Sequence, residues 1–287
     1  KMKVNLDCIP CFQRQALQAT RFITNDEQLQ EKVLRNVINE LLSSNWTATP
    51  PELAQKVHNI VRNVTNENDP YKLVKKESND LALRMYPELK ETVKNSVDPI
   101  RTAVRLAIAG NIIDFGVAQE FNLEETIKEV LKKKFAIDDY VLLKESLETA
   151  KSLLFFVDNA GEIVLDKLLV ETFFATSNFE KIDFVVKGGP IINDATLEDT
   201  VYVGLDSLPN SEFLVISNGD AGTGPDRSSK AVRRWIMEHD LVISKGQGNY
   251  EGLSEHNNLF FMLMAKCPII ASDIGVKTGD IILKYQK

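Results

Sequence analysis

The apolar positions in the first half of the chain follow a helical repeat. Between residues 29 and 42 they recur at intervals of three and four, which places them on one face of a helix. Thr49-Pro50-Pro51-Glu52 is typical of a helix start, with a threonine cap and an early proline. Asp98-Pro99 begins another predicted helix, and residues 122–134 predict one more. No strong strand is predicted before residue 150.

The second half alternates short apolar runs with helical patterns. The runs have the length and the β-branched or aromatic content of buried strands, and they lie at 153–157, 182–186, 213–216 and 241–243. Helical patterns occupy 163–176, 197–203 and 228–239, and a last apolar stretch at 259–271 predicts one or two further strands. This alternation indicates parallel βαβ units. We therefore predict an α/β protein with a helical N-terminal region (1–150) and an α/β domain (151–287).

Composition excludes several classes of protein. The 287 residues are enough to bury a sizeable core, and 44% of them are hydrophobic. The net charge of −7, without a basic patch, argues against a nucleic-acid partner. The sequence has no apolar run of about 18 residues, so we expect no membrane partner. The N-terminus has no apolar signal segment. Three cysteines do not make a disulfide framework, so we expect a cytoplasmic protein.

Glycine-rich polar loops follow all four predicted strands. They span 158–162, 187–196, 217–224 and 245–252. Because the carboxyl ends of parallel strands lie at one edge of a sheet, these loops should converge. Glycine, aspartate and asparagine are ordinary turn residues, so any single loop could be only a turn. Four such loops at one edge favour a binding site.

The side chains in these loops suit a metal ion and a phosphate group. Oxygen ligands from aspartate and asparagine favour hard cations such as Mg²⁺ or Mn²⁺. Lys187 and Lys245 provide positive charge for phosphate, and glycines let backbone N–H groups approach an anion. Asp158 follows a buried strand directly, where a carboxylate is costly without a partner. The sequence therefore predicts a metal-assisted phosphoryl site.

The loops do not match three common phosphate-binding motifs well. A Walker P-loop is absent from the sequence. Gly246-Gln247-Gly248 hints at a dinucleotide fingerprint, but the next glycine, Gly252, comes one position late. Ala160 stands where a phosphoaspartate enzyme of the haloacid dehalogenase type would carry its second aspartate.

In combination, the loops resemble the damage-control phosphatase family, also called the DUF89 or ARMT1-like domain. The similar segments are Asp158-Asn159-Ala160-Gly161-Glu162, Gly188-Gly189-Pro190-Ile191-Ile192-Asn193-Asp194-Ala195-Thr196, Ser217-Asn218-Gly219 and Lys245-Gly246-Gln247-Gly248-Asn249-Tyr250-Glu251. Upstream, Gly110-Asn111-Ile112-Ile113-Asp114 resembles a helical element of the family. Cys8-Ile9-Pro10-Cys11 resembles the C-x-x-C of a branch common in archaea and some bacteria.

The resemblance implies an αβα sandwich and a metal-dependent phosphatase that hydrolyses phosphate monoesters of small metabolites, such as sugar phosphates or damaged phosphometabolites. It places the metal ligands at Asp158, Asn159 and Asp194, for Mg²⁺, Mn²⁺, Co²⁺ or Ni²⁺. It also implies that Asp158 and Asp194 act in catalysis and that Lys245 binds the phosphate. A non-catalytic sensor of metal or phosphometabolites and a sugar-phosphate transferase are the alternatives.

Further residues are candidates for substrate binding. The set in the loops is Gly188, Gly189, Asn193, Ser217, Asn218, Asp220, Gly246, Gly248, Asn249 and Glu251. Asp220 and Glu251 could act as acid or base, or bind sugar hydroxyls. Asn111 and Asp114 lie three apart on one helix face and could reach the pocket or simply end the helix. Cys8 and Cys11 fit half of a second metal site, a redox pair, or two semi-buried thiols at a helix start.

Overall fold

The structure is a computed structural model that describes residues 3–110, 123–217 and 229–287. Six of its helices precede the first strand: α1 (Cys8–Ile23), α2 (Glu27–Ser43), α3 (Pro50–Thr65), α4 (Lys72–Lys94), α5 (Pro99–Gly110) and α6 (Leu123–Lys132). The predicted helices are confirmed as α2, α3, α5 and α6, and Thr49 caps α3 in a capping box with Glu52. Helices α1, α2 and α3 surround an apolar core of their own, to which Phe12, Val37 and Val57 belong.

Seven strands within the described residues form one sheet. They are β1 (Phe135–Asp138), β2 (Ser152–Phe156), β3 (Lys181–Lys187), β4 (Ser211–Ile216), β5 (Leu241–Lys245), β6 (Leu259–Met264) and β7 (Ile281–Gln286). Their order in the sheet is β1-β7-β6-β5-β2-β3-β4. The strands from β6 to β4 in this order are parallel, whereas β7 runs antiparallel to β6 and pairs in parallel with β1. The mostly parallel sheet confirms the predicted α/β class.

Helices cover both faces of the sheet. The second half of the chain forms α7 (Tyr140–Thr149), α8 (Glu162–Phe173), α9 (Leu197–Tyr202), α10 (Lys230–Glu238), α11 (Gln247–Leu253) and α12 (Pro268–Ile274). Alternate residues of β2 point to opposite faces: Leu153 and Phe155 join the core under α5 and α8, and Leu154 and Phe156 join the core under α10 and α12. Burial of each such side chain contributes about 1.5–3 kcal/mol to stability.

One prediction about strands was wrong, and β7 was not predicted. Strand β1 lies before residue 150; it has four residues with alternating burial, too short a pattern to stand out from the helices around it. The apolar stretch at 259–271 contains one strand, β6, within the predicted one or two. The rest begins α12, because Pro268 stands at a helix start and Gly275 takes a left-handed conformation at its end. Among the described residues, no helix combines the length and the apolar character that crossing a membrane requires.

The connectivity of the sheet creates a crevice beside β2. The chain passes from β2 outward to β3 and β4, and then returns to place β5 on the other side of β2. At such a reversal the loops after neighbouring strands diverge, and ligands bind in the gap at the carboxyl ends of the strands. The loops after β2 and β5 therefore border the position where a ligand site is expected.

Candidate functional site

Asp158 lies just beyond the carboxyl end of β2 and is only 7% exposed. Its backbone carbonyl accepts a hydrogen bond from the N–H of Ala195 at 2.8 Å, and Asn159 forms an antiparallel bridge with Asp194. The loop after β2 and the loop after β3 are thus joined by backbone hydrogen bonds. The structure brings together the three residues predicted as metal ligands, Asp158, Asn159 and Asp194.

The electrostatic surroundings of Asp158 suit a cation. Burial, together with the nearby charges of Glu162 and Asp194, raises the pKa of Asp158 to about 7. The amide nitrogen of Asn159 donates to Asp158 Oδ2 at 2.9 Å and to Glu162 Oε2 at 3.1 Å, so its carbonyl oxygen is the atom suited to a metal. A hard cation would relieve the repulsion between the carboxylates and accept these oxygen ligands. The donor set therefore fits a divalent metal ion.

A complete set of metal ligands at this site depends on Asn159. Within residues 3–110, 123–217 and 229–287, no three His, Cys, Asp or Glu side chains are already grouped as metal ligands. Asp158 and Asp194 contribute two carboxylates, and the amide oxygen of Asn159 would be the third ligand. Such an oxygen-only set is typical of Mg²⁺ and Mn²⁺ sites, in which water completes the coordination.

Lys187 provides a positive charge beside the carboxylates. It ends β3, is 3% exposed, and its Nζ lies 3.5 Å from Asp194 Oδ2. Nζ also donates to Asn249 Oδ1 at 3.1 Å. The fully buried Asn249 in turn donates to the backbone carbonyls of Val157 and Lys245, at 2.8 and 2.9 Å. Asn249, predicted as a substrate ligand, therefore holds Lys187 in place between the ends of two strands.

Lys245 occupies a different position from the one predicted. Its side chain is fully buried, and Nζ donates to Glu162 Oε1 at 2.7 Å, to Asp166 Oδ1 and to the backbone carbonyl of Ala107 at 2.9 Å. Burial alone would lower the pKa of Lys245, but Asp166 and Glu162 raise it above its ordinary value. An ammonium group has three donor hydrogens, and three acceptors already surround this one. This arrangement corrects the prediction that Lys245 binds the phosphate.

Gly246 allows Asp158 to occupy its position. The backbone of Gly246 has a φ of 75°, a conformation that favours glycine. A Cβ atom placed on it would lie 1.8 Å from Asp158 Oδ2 and 2.2 Å from Asp158 Cγ. The carboxylate of Asp158 therefore packs directly against the backbone at the end of β5, across the crevice.

A cavity of about 640 Å³ opens beside Lys187 and Asp194. The sheet edge contributes Lys187, Asp194, Gly248 and Glu251 to its wall, and the helical region contributes the beginnings of α1 and α3. Pockets of this volume hold ligands the size of a small metabolite. Two of the predicted substrate residues, Gly248 and Glu251, thus line the same cavity as Lys187 and Asp194.

The remaining predicted residues lie outside the lining of this cavity or outside the described ranges. The N–H of Gly188 donates to the backbone of β4, Gly189 is half-buried, and the backbone carbonyl of Asn193 accepts from Ala160. These three are not among the residues that line the 640 Å³ cavity. Ser217 is buried at the end of β4. Four predicted residues fall outside the described ranges: Asn111, Asp114, Asn218 and Asp220.

Sequence reasoning did not find Asn79, on α4 in the helical region. Asn79 Oδ1 accepts the N–H of Gly161 at 2.6 Å, and its Nδ2 donates to Asp199 Oδ1 at 3.3 Å. Asp199 accepts from Thr196, two residues after Asp194. One buried amide thus ties the loop after β2 to the loop after β3. No local pattern marks an asparagine on an amphipathic helix for this role.

Replacing Asn79 with alanine should destabilise the protein by about 1–3 kcal/mol, because the buried N–H of Gly161 loses its acceptor. Ser78→Ala is the matched control, since the Ser78 hydroxyl donates to the Val74 carbonyl of its own helix. We expect that variant to lose less than about 1 kcal/mol. Urea unfolding of both variants measures the difference, and equal losses of stability would contradict the role of Asn79 in tying the two loops together.

Comparisons with known proteins show the family of the chain. The damage-control phosphatase ARMT1-like domain matches residues 4–282. A damage-control phosphatase of Archaeoglobus fulgidus is 35% identical over 99% of both chains, and one of Pyrococcus horikoshii is 34% identical over 100% of this chain and 99% of its own. A crystal structure of a DUF89 family protein from P. horikoshii superposes with a TM-score of 0.84 at 31% identity, covering 100% of both chains. The chain therefore belongs to the damage-control phosphatase family, with the ARMT1-like domain spanning nearly its whole length.

Proposed function

We propose that this protein hydrolyses phosphate monoesters of small metabolites, using a divalent metal ion bound by Asp158, Asn159 and Asp194. The observation that carries this proposal is the convergence of the buried Asp158 carboxylate, the partly buried Asp194 carboxylate and the Lys187 ammonium. Lys187 Nζ lies 3.5 Å from Asp194 Oδ2, and both of these residues line the cavity. Family membership supports phosphatase chemistry, since the relatives from A. fulgidus and P. horikoshii are both named damage-control phosphatases.

A bound divalent ion would supply Lewis-acid stabilisation of phosphoryl oxygens and lower the pKa of a bound water. The residues of the chain would bind the phosphate and position the ion. Lys187, held by Asn249, would donate to a phosphate oxygen as negative charge develops there. Asp158 and Asp194 would position the ion and orient the attacking group. Lys245 contributes indirectly, because it holds Glu162, which accepts a hydrogen bond from Asn159.

The cavity narrows the class of substrate. A volume of about 640 Å³ accommodates a sugar phosphate or another small phosphometabolite. Charged and polar groups such as Glu251 and Gln247 in its wall could bind hydroxyl groups of the leaving alcohol. We propose Mg²⁺, Mn²⁺, Co²⁺ or Ni²⁺ as the metal and a phosphorylated small molecule as the partner.

The experiment measures phosphate release by metal-stripped protein resupplied with each of these four ions. The substrates are p-nitrophenyl phosphate and a panel of sugar phosphates. We expect release that depends on the added ion, is abolished in Asp158→Ala and Asp194→Ala, and persists in Asp206→Ala, which removes an exposed carboxylate elsewhere. Absence of release with every ion would contradict the proposal and favour a sensor, whereas release only with an acceptor alcohol would indicate a transferase.

A further inference from the structure

All three cysteines of the chain line one cavity. Cys8 and Cys11 belong to the first turn of α1, and Cys267 directly precedes α12. Each is a free, partly buried cysteine in the wall of the 640 Å³ cavity that also contains Lys187 and Asp194. The proposed phosphatase chemistry uses none of these thiols, so their common location needs its own explanation.

The thiols are electrostatic neighbours of one another. Burial raises the pKa of Cys8 above its ordinary value. A backbone hydrogen bond from Asn5 partly offsets this rise, and the charges of Glu251, Cys11 and Cys267 add to it. Two thiols with C-x-x-C spacing that lie close enough to influence each other's ionisation suit thiol–disulfide exchange.

The geometry of α1 suits a bond between Cys8 and Cys11. Residues three apart in a helix lie on one face with Cβ atoms about 5–6 Å apart, and a disulfide needs about 3.5–4.5 Å. The first turn must therefore tighten by only about 1–2 Å. It can do so because the side chain of Asp7 makes no capping hydrogen bond and Pro10 has no amide hydrogen.

We propose that Cys8 and Cys11 form a thiol–disulfide exchange site that takes a small-molecule disulfide from the cavity. One cysteine thiolate attacks the small disulfide, forming a mixed disulfide and releasing one small thiolate. The second cysteine thiolate attacks the protein sulfur of that mixed bond, forming the Cys8–Cys11 disulfide and releasing the second small thiolate. The two cysteines lose two protons and two electrons, and the small disulfide is reduced to two thiols. Cys267 remains a thiol.

The test treats the full chain with oxidised glutathione and counts free thiols. We expect the count to fall from three to one, with peptide mapping joining Cys8 to Cys11, and dithiothreitol should restore all three. Cys267→Ser is the matched control and should still form the bond. Cys8→Ser and Cys11→Ser should each retain one glutathione as a mixed disulfide on the remaining member of the pair. Exchange should accelerate as pH rises, because the raised pKa keeps Cys8 protonated at lower pH.

Three results would overturn the proposal. Wild-type protein could keep three free thiols under oxidation, carry a separate glutathione on each cysteine, or form its bond to Cys267. None of these readouts depends on phosphatase activity, so the exchange site and the proposed hydrolysis can fail independently.

Discussion

Gly246→Ala should reduce phosphate release by about 100-fold or more, the scale of loss that a shift of about 1 Å in an active site can cause. The added Cβ would lie 1.8 Å from Asp158 Oδ2, so the carboxylate or the backbone after β5 must move. The positive φ of Gly246 adds strain for any side chain. Since Asp158 is a proposed metal ligand, we expect the metal concentration for half-maximal rate to rise as the maximal rate falls.

Gly248→Ala is the matched control for this experiment. A Cβ at Gly248 meets no described atom within 4 Å, although Gly248 lines the same cavity. Alanine also favours the helical conformation of α11 over glycine by about 1 kcal/mol. We expect stability no lower than that of the wild type and an unchanged metal concentration for half-maximal rate, because the added Cβ contacts no proposed metal ligand. Full activity in Gly246→Ala, measured beside this control, would show that Asp158 does not need its observed position.

Lys245→Met should destabilise the protein by about 3–5 kcal/mol, because it leaves the buried carboxylates of Glu162 and Asp166 without their cation. Both carboxylates and the lysine are fully buried, so water cannot replace the lost partner. Urea unfolding measures the loss. Lys90→Met, which breaks an ion pair with Glu171 at a half-exposed position, is the control and should cost about 1 kcal/mol or less.

A compensating variant separates this structural role from phosphate binding. Lys245→Met combined with Asp166→Asn removes one of the two uncompensated charges and should recover part of the lost stability. A Lys245→Met protein with wild-type stability and a raised KM would contradict the buried ion cluster. That result would indicate that Lys245 binds the phosphate, as the sequence resemblance implies.

Five of the seven strands in the described residues, and the location of the candidate site, were predictable because each depends on a local pattern. The apolar run at 153–157 corresponds to β2 (Ser152–Phe156), displaced by one residue. Convergence of the polar loops follows from parallel strands alone, without any knowledge of contacts. Strand β1 was not predicted because its four residues form a strand only by pairing with β7, at the far end of the chain.

The partners of individual side chains were less predictable. Lys245 is the last residue of β5, as Lys187 is of β3, and sequence alone does not say which amine faces the cavity. A signal was present in α8, where Glu162 and Asp166 lie four residues apart on a helix whose other buried residues are apolar. Two acidic residues on such a face need a buried cation. Asn79 gave no signal, since its hydrogen bond to Gly161 spans 82 residues of sequence.

The most direct test of the central claim is calorimetric titration of metal-stripped protein with Mn²⁺. We expect one Mn²⁺ ion per chain in the wild type, and loss of binding in Asp158→Asn and Asp194→Asn, with circular dichroism showing that both variants remain folded. Hydrolysis of p-nitrophenyl phosphate should rise in proportion to the bound ion. If the folded variants bind Mn²⁺ as tightly as the wild type, the metal lies elsewhere, and the proposed site is contradicted.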